Sequence, residues 1–368
     1  MDTKFNTLNE QALMQSEQTE RIIGLDILKI LSCLGITMLH FLGYTNVLSV
    51  FTRLHYNQIL AYLFNVLVRT SVNIFIMISG YFLVKSQFKY KRIFLIWGET
   101  FVYSILFFVI GAVLKLETIS TASLIKACLP IFSRHYWFAT AYIVLYLLTP
   151  FVNKLVCVLD KKEYTILVCG GAVLFSAWTT FFWFSEGALI GGHTGILWVV
   201  YIYLVGGYFR LYPPKISARV LLVGMISLVG LLVIYQYMKE KILFLSNFAF
   251  LQENSIFSLS LSVAIFLLFK DIKSKKLSVC KAMTTLSCAA FGVYLIQENC
   301  MIREWLWMNV VRANTMVYNG YLFFVFLLVV VLLFAIALII TNVYRKIFKY
   351  VSDKLKRNNK ICSQKENE

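Results

Sequence analysis

Apolar residues run through this chain in stretches of about 20, the length that carries an α-helix across a hydrocarbon core of roughly 30 Å at about 1.5 Å per residue. Ten segments qualify, at 24–45, 58–84, 93–114, 137–158, 164–184, 195–211, 218–237, 247–269, 286–307 and 320–344. The pattern predicts an all-α fold, a polytopic transmembrane helical bundle of about ten spans. No fixed-period repeat, low-complexity block or soluble domain interrupts it.

The polar connections carry a second pattern, because short cytoplasmic loops are enriched in Lys and Arg. With the N-terminus inside, the inner regions are the tail with Lys4 and Arg21, then Lys85 to Arg92, Lys154 to Lys162, Arg210 to Arg219, Lys270 to Lys281, and the segment from Arg345. With Lys29 at the inner end of the first span, these hold 26 of the 35 basic residues. A missed or extra helix would scramble that alternation, so an even number of spans with both termini cytoplasmic is expected. The organisation is then a cytoplasmic tail at 1–20, a membrane domain at 21–346 and a basic, polar cytoplasmic tail at 347–368, in a multi-pass protein of the cell membrane. Residues 1–20 are polar and mixed in charge and do not read as a signal peptide.

Composition narrows the function classes. At 60% hydrophobic and 14% charged residues the chain lies far from soluble usage. Its net charge of +17 follows from the loop pattern and suits anionic inner-leaflet lipid, so no nucleic-acid partner is inferred. The eight cysteines are scattered without a C-x-x-C pair and read as small packing residues, with neither a disulfide framework nor a metal site.

Function therefore has to be sought among polar residues inside the membrane, where each charge costs a few kcal/mol to place. The first span holds Asp26, Lys29 and His40. Lys29 and His40 are eleven residues apart, which returns to nearly the same helix face after about three turns and roughly 16 Å of rise. Lys29 would snorkel at the cytoplasmic mouth and His40 would lie deeper; their plain alternatives are a topology anchor and an interhelical hydrogen bond. Asp26, at i, i+3, is expected to neutralise Lys29. Arg69 and Asn73, at i, i+4, face one way, and Glu99 is expected to pair with Arg69. Ser79 and Gly80 are read as permitting close helix approach. On the outer side, His135, Tyr136 and Trp137 form one group and Gln297, Glu298, Asn299 and Arg303 another. They read as interfacial anchors and a Glu298–Arg303 ion pair, or as a sugar platform of ring faces and polar groups. His55 and His193 read as loop residues.

Four blocks add a resemblance covering most of the chain. They are Lys29 with His40, VNIFIMISGYFLVKS at 72–86, HYWFATAYIVLYLLTPFVNKL at 135–155, and FGVYLIQENCMIREWLW at 291–307. In order and spacing they resemble the acyltransferase-3 family of bacterial membrane proteins that acylate sugars. The chain departs from that family's usual pattern in having Lys29 for Arg, which supplies a point charge without the bidentate fork, and Gln297 where His is common.

The resemblance implies a membrane O-acyltransferase of the polysaccharide O-acetyltransferase type. Acetyl-CoA or another acyl-CoA would be the donor substrate, with no permanently bound cofactor. Its phosphates would meet Lys29, Arg69, Lys91 and Arg92, and His40 would act as general base on a saccharide or lipid-linked saccharide hydroxyl. Asn73, His135, Tyr136, Trp137, Gln297, Glu298, Asn299 and Arg303 would contact substrate. Membrane lipid, a second copy or a polysaccharide-synthesis complex are the partners implied. The rival readings are a transporter or polysaccharide exporter, against which stands the lack of matching inverted halves, and a non-catalytic partner of a polymer-synthesis complex.

Overall fold

The computed structural model describes residues 21–116, 119–133, 135–182 and 192–365. The N-terminal tail at 1–20, with Lys4, lies outside them, as do Arg134 and Gly191. Eleven helices build the bundle: α1 Ile23–Tyr44, α2 Tyr56–Val68, α3 Ser71–Leu83, α4 Tyr90–Val113, α5 Trp137–Val158, α6 Lys161–Phe181, α7 Ile196–Leu211, α8 Ala218–Lys239, α9 Ile256–Phe269, α10 Leu277–Gln297 and α11 Leu322–Lys365. Helices α2 and α3 make one 28-residue span, interrupted at Arg69 and Thr70. Among the described residues, 8 helical segments are long and apolar enough to cross a membrane, and the two remaining predicted spans fall on the shorter apolar helices α7 and α9. The fold is all-α and polytopic, as the hydropathy pattern requires.

Two span boundaries differ from the sequence reading. The segment 247–255, read as the start of a span, is a string of turns that precedes α9. Its apolar side chains are directed at protein: Leu251 packs with Val66, Leu232 and Leu261. Its backbone is taken up by side chains, with Ser176 Oγ donating to the Asn254 carbonyl at 2.9 Å and the Ile256 N–H donating to Thr180 Oγ1 at 2.9 Å. The span read at 286–307 is helix from Leu277 to Gln297, because the chain turns at Glu298 and coils again only at Trp305–Val311.

The centre of the bundle is a close crossing of α3 and α7. A Cβ added at Gly80 would sit 2.0 Å from the Tyr203 carbonyl oxygen, and one at Gly206 would sit 2.0 Å from that of Met77. Close approach at Gly80, expected from the sequence, is what positions α3. Helix α1 packs against α2, α3 and α10, and α10 packs in turn against α4 and α11. Helix α8 is peripheral, burying only Leu232 and Gln236.

A short antiparallel pairing, Arg21–Ile22 with Lys273–Ser274, joins the start of α1 to the α9–α10 connection. These two points therefore lie on one face of the bundle, which requires an even number of crossings between them.

Candidate active site

Helix α1 is unbroken from Ile23 to Tyr44 and presents Lys29 and His40 to two different cavities. The cavity holding His40, of about 360 Å³, is lined by Tyr44, Arg69, Trp137, His193 and Glu253 around apolar walls from Ile36, Leu39, Val72 and Tyr294. The cavity holding Lys29, of about 250 Å³, is lined also by Arg92, Arg345, Glu99, Tyr142, Ser287 and Cys288. Phe138 belongs to the wall of both. It is buried and held edge-on between Phe75 and Tyr294, at ring separations of 5.6 Å from each.

At His40 the turn after α10 meets α1. His40 Nε2 lies 3.2 Å from Glu298 Oε2. Glu298 accepts also from Tyr44 OH at 3.0 Å and from Arg303 Nη1 at 3.2 Å, and the Arg303 guanidinium stacks over the Tyr44 ring at 4.9 Å. The Glu298–Arg303 ion pair expected from the sequence is present, and it carries the histidine. The other ring nitrogen, Nδ1, is buried without a hydrogen bond. Gln297 is fully buried, and its side chain approaches His40 without meeting hydrogen-bond geometry, so both of its polar atoms are unpaired among the described residues. Buried unpaired polar atoms cost about 1–3 kcal/mol each, a cost that a bound ligand or water would relieve.

Across the same cavity stands a second polar group. Arg69, at the break between α2 and α3, donates from Nη1 to Glu253 Oε1 at 2.7 Å, and His193 Nδ1 is 3.6 Å from Glu253 Oε2. Asn73 lines neither of the two cavities. Its amide donates to the Glu253 carbonyl at 2.7 Å and its Oδ1 accepts from Trp198 Nε1 at 3.1 Å, so it pins the 247–255 segment.

The Lys29 cavity is cationic. Lys29 Nζ lies 5.7 Å from the Phe82 ring centre and is not paired by Asp26, which binds Arg21 at 2.7 Å and Ser287 at 3.2 Å instead. Arg92 is exposed at the rim, over the Tyr146 ring. Lys91 is exposed and turned away, over Phe348. Glu99 meets Thr341 at 2.9 Å in the company of Arg345, and not Arg69, because α4 packs on α10 and α11. Arg69 thus stands apart from the Lys29 cluster with which the sequence reading grouped it.

Of the outer aromatic group only Trp137 reaches the His40 cavity. Tyr136 is fully buried and accepts from Asn299 at 2.6 Å, while Asn299 Oδ1 takes the Met301 N–H at 3.0 Å. These two fix the turn that aims Glu298. His135 Nε2 accepts the Cys300 N–H at 3.4 Å; burial, helped by the positive Arg303 and Lys126, lowers its pKa to about 4. It serves the same turn.

The comparison with known families decides what this arrangement belongs to. An acyltransferase domain matches residues 22–340. The chain belongs to the acyltransferase-3 family. No curated protein and no solved structure matches it. As a member of the acyltransferase-3 family it is a multi-pass membrane acyltransferase, and Lys29, His40, Phe138 and Glu298 all fall within the matched region.

Sequence reasoning missed Glu253, Tyr44, Phe138 and Arg345, and it left His193 as a plain loop residue. Glu253 had a visible signal, an acid inside a predicted span. Tyr44 sits one turn beyond His40, where the same helix face continues. Arg345 and Phe138 carry no local mark, since Arg345 reads as the first basic residue past a span and Phe138 as one apolar residue among many.

Proposed function

We propose that this acyltransferase moves an acetyl or similar acyl group from cytoplasmic acyl-CoA to a hydroxyl of a cell-surface or exopolysaccharide sugar. On this reading the face bearing the β-pairing is the cytoplasmic one, which puts Lys29, near the start of α1, on the side of the donor. The observation that carries the reading is His40, paired with buried Glu298, in the wall of one cavity, and Lys29 on the same helix in the wall of a cationic cavity that shares Phe138 with it.

Lys29, Arg92 and Arg345 attract the phosphates of the donor, as point charges and guanidinium forks do. The pantetheine arm runs along α1 past Phe138, over the roughly 16 Å of helical rise that separates Lys29 from His40. Glu298 favours the tautomer of His40 that carries its proton on Nε2, and Arg303 and Tyr44 hold the carboxylate in place. The Nδ1 lone pair is then free to act as base. Nδ1 takes the proton of the acceptor hydroxyl as its oxygen attacks the thioester carbonyl carbon. The tetrahedral centre collapses, the C–S bond breaks, and the departing thiolate of CoA takes the proton from Nδ1. Gln297 Nε2, a buried donor with no partner beside His40, suits the carbonyl oxygen on which charge develops.

Purified protein in lipid nanodiscs with acetyl-CoA and an acceptor saccharide tests this. Free CoA is expected only when both are present, and His40→Ala is expected to abolish its release. Saccharide flux into sealed proteoliposomes without release of CoA would instead point to transport.

A further inference from the structure

The second polar group in the His40 cavity is unused by that chemistry, and its bonding is incomplete in a directional way. Glu253 is 6% exposed. One of its carboxylate oxygens takes Arg69 at 2.7 Å, while the other, among the described residues, has only His193, at 3.6 Å, beyond hydrogen-bond reach. Arg69 Nε is buried with no partner among the described residues. An acceptor and a donor are thus left open side by side.

The group is also rigid. Asn73 holds the Glu253 carbonyl, Ser176 that of Asn254, and Thr180 the Ile256 N–H, so the segment from 253 to 256 is bound from α3 and α6 before any ligand arrives. Preorganisation of this kind removes ordering cost from binding.

Charge decides what the cavity can hold. Glu253, the carboxylate in its wall, faces Arg69, and Glu298, which pairs with His40 outside the lining, faces Arg303, so each carboxylate is matched by a guanidinium. A phosphate has no surplus cation to meet there, whereas the Lys29 cavity presents Lys29, Arg92 and Arg345 against Glu99 alone. A neutral polyhydroxyl ligand needs what is open here: one acceptor, one donor, and a ring face for its C–H surface, which Trp137 supplies in the same wall.

Resting on the acyl-transfer reading above, we propose that Arg69, Glu253 and His193 form the acceptor subsite. It recognises two adjacent hydroxyls of a pyranose: one donates to Glu253 Oε2 and its neighbour accepts from Arg69 Nε. The sugar is thereby held with another hydroxyl toward His40 on the opposite wall. His193 lines the same wall, its Nδ1 3.6 Å from the carboxylate.

Binding of methyl glucopyranoside, methyl galactopyranoside and methyl mannopyranoside, with their single-deoxy analogues, is measured by saturation-transfer NMR on the full chain in nanodiscs, together with coenzyme A binding. At least one glycoside is expected to bind wild type, and removing either of one adjacent pair of hydroxyls is expected to weaken it tenfold or more. Glu253→Gln is expected to weaken the parent glycoside similarly, to erase the deoxy penalty at one position, and to leave coenzyme A binding unchanged. The deoxy series on wild type needs no variant to fold. Equal glycoside binding by wild type and Glu253→Gln, a flat deoxy series, or no glycoside binding where coenzyme A binds, each overturns the subsite. Failure of His40→Ala to stop CoA release overturns the catalytic reading instead, and the glycoside titrations are independent of it.

Discussion

Glu298, one residue past the end of α10, sets its Oε2 3.2 Å from Nε2 of His40 on α1 and takes Arg303 on Oε1 at the same distance. The pair joins two helices far apart in sequence, and it leaves Nδ1 as the open nitrogen. Glu298→Gln keeps the shape and removes the charge that selects this tautomer. Acceptor-dependent CoA release is expected to fall about 10²–10⁴-fold in kcat, the range of general acid–base catalysis, with the KM for acyl-CoA unchanged. His40→Ala should lose at least as much, and the double variant no more than the larger single loss. An unaltered kcat in Glu298→Gln would discard the pair.

Phe138 is the shared wall of the two cavities. Phe138→Leu shortens the partition without opening the large void that alanine would leave. Hydrolysis of acyl-CoA without acceptor is expected to rise severalfold, and longer acyl chains to be accepted better, both measured by thiol release across an acyl-CoA series. A profile identical to wild type would mean that the ring does not separate donor from acceptor.

The α3–α7 crossing tolerates no side chain at its contact. Gly80→Ala places a methyl group 2.0 Å from a backbone oxygen, so the helices must part, a cost of about 1–3 kcal/mol or more. The melting temperature in nanodiscs is expected to drop by several degrees or the protein to fail to accumulate. Gly224→Ala, on the peripheral α8 with nothing within 4 Å, is the matched control, expected neutral or slightly stabilising.

His135 is held neutral, with its pKa lowered from the ordinary value near 6.5 to about 4 by burial. The unfolded chain therefore binds this proton more readily than the folded one. The stabilising contribution is complete above about pH 6.5 and is lost as pH falls toward 4. Melting temperature is expected to decline by a few degrees over that window. His135→Asn, which cannot protonate, should flatten that part of the curve; an equally steep decline in the variant would assign it to other groups.

Most of the fold was legible because lipid imposes a simple rule: backbone polar groups must be satisfied within a span, so length and hydropathy suffice to find it. The rule fails where apolar residues face protein. Phe248, Ala249, Phe250 and Leu251 read as membrane-crossing, yet Leu251 is buried against α2, α8 and α9 in a turn segment. The site was legible to the extent that its residues lie on one helix. Lys29 and His40 were found from spacing, but Asp26 found Arg21 and Ser287 instead of its helical neighbour, and Glu99 found Thr341 and not Arg69. Those partners are set by which helices touch, a relation that no single-span pattern encodes. Asn73, Tyr136 and Asn299 illustrate the same limit, since polar residues at a plausible depth hold the scaffold together.

The tie between Arg21–Ile22 and Lys273–Ser274 bears on biogenesis. The helix that bears His40 is made before its partners: the strand that anchors its start and the carboxylate beside its ring follow some 250 to 275 residues later. A nascent chain would therefore hold His40 without its carboxylate partner until residues 273 to 298 had been made, so the pair is assembled late relative to the helix that carries it.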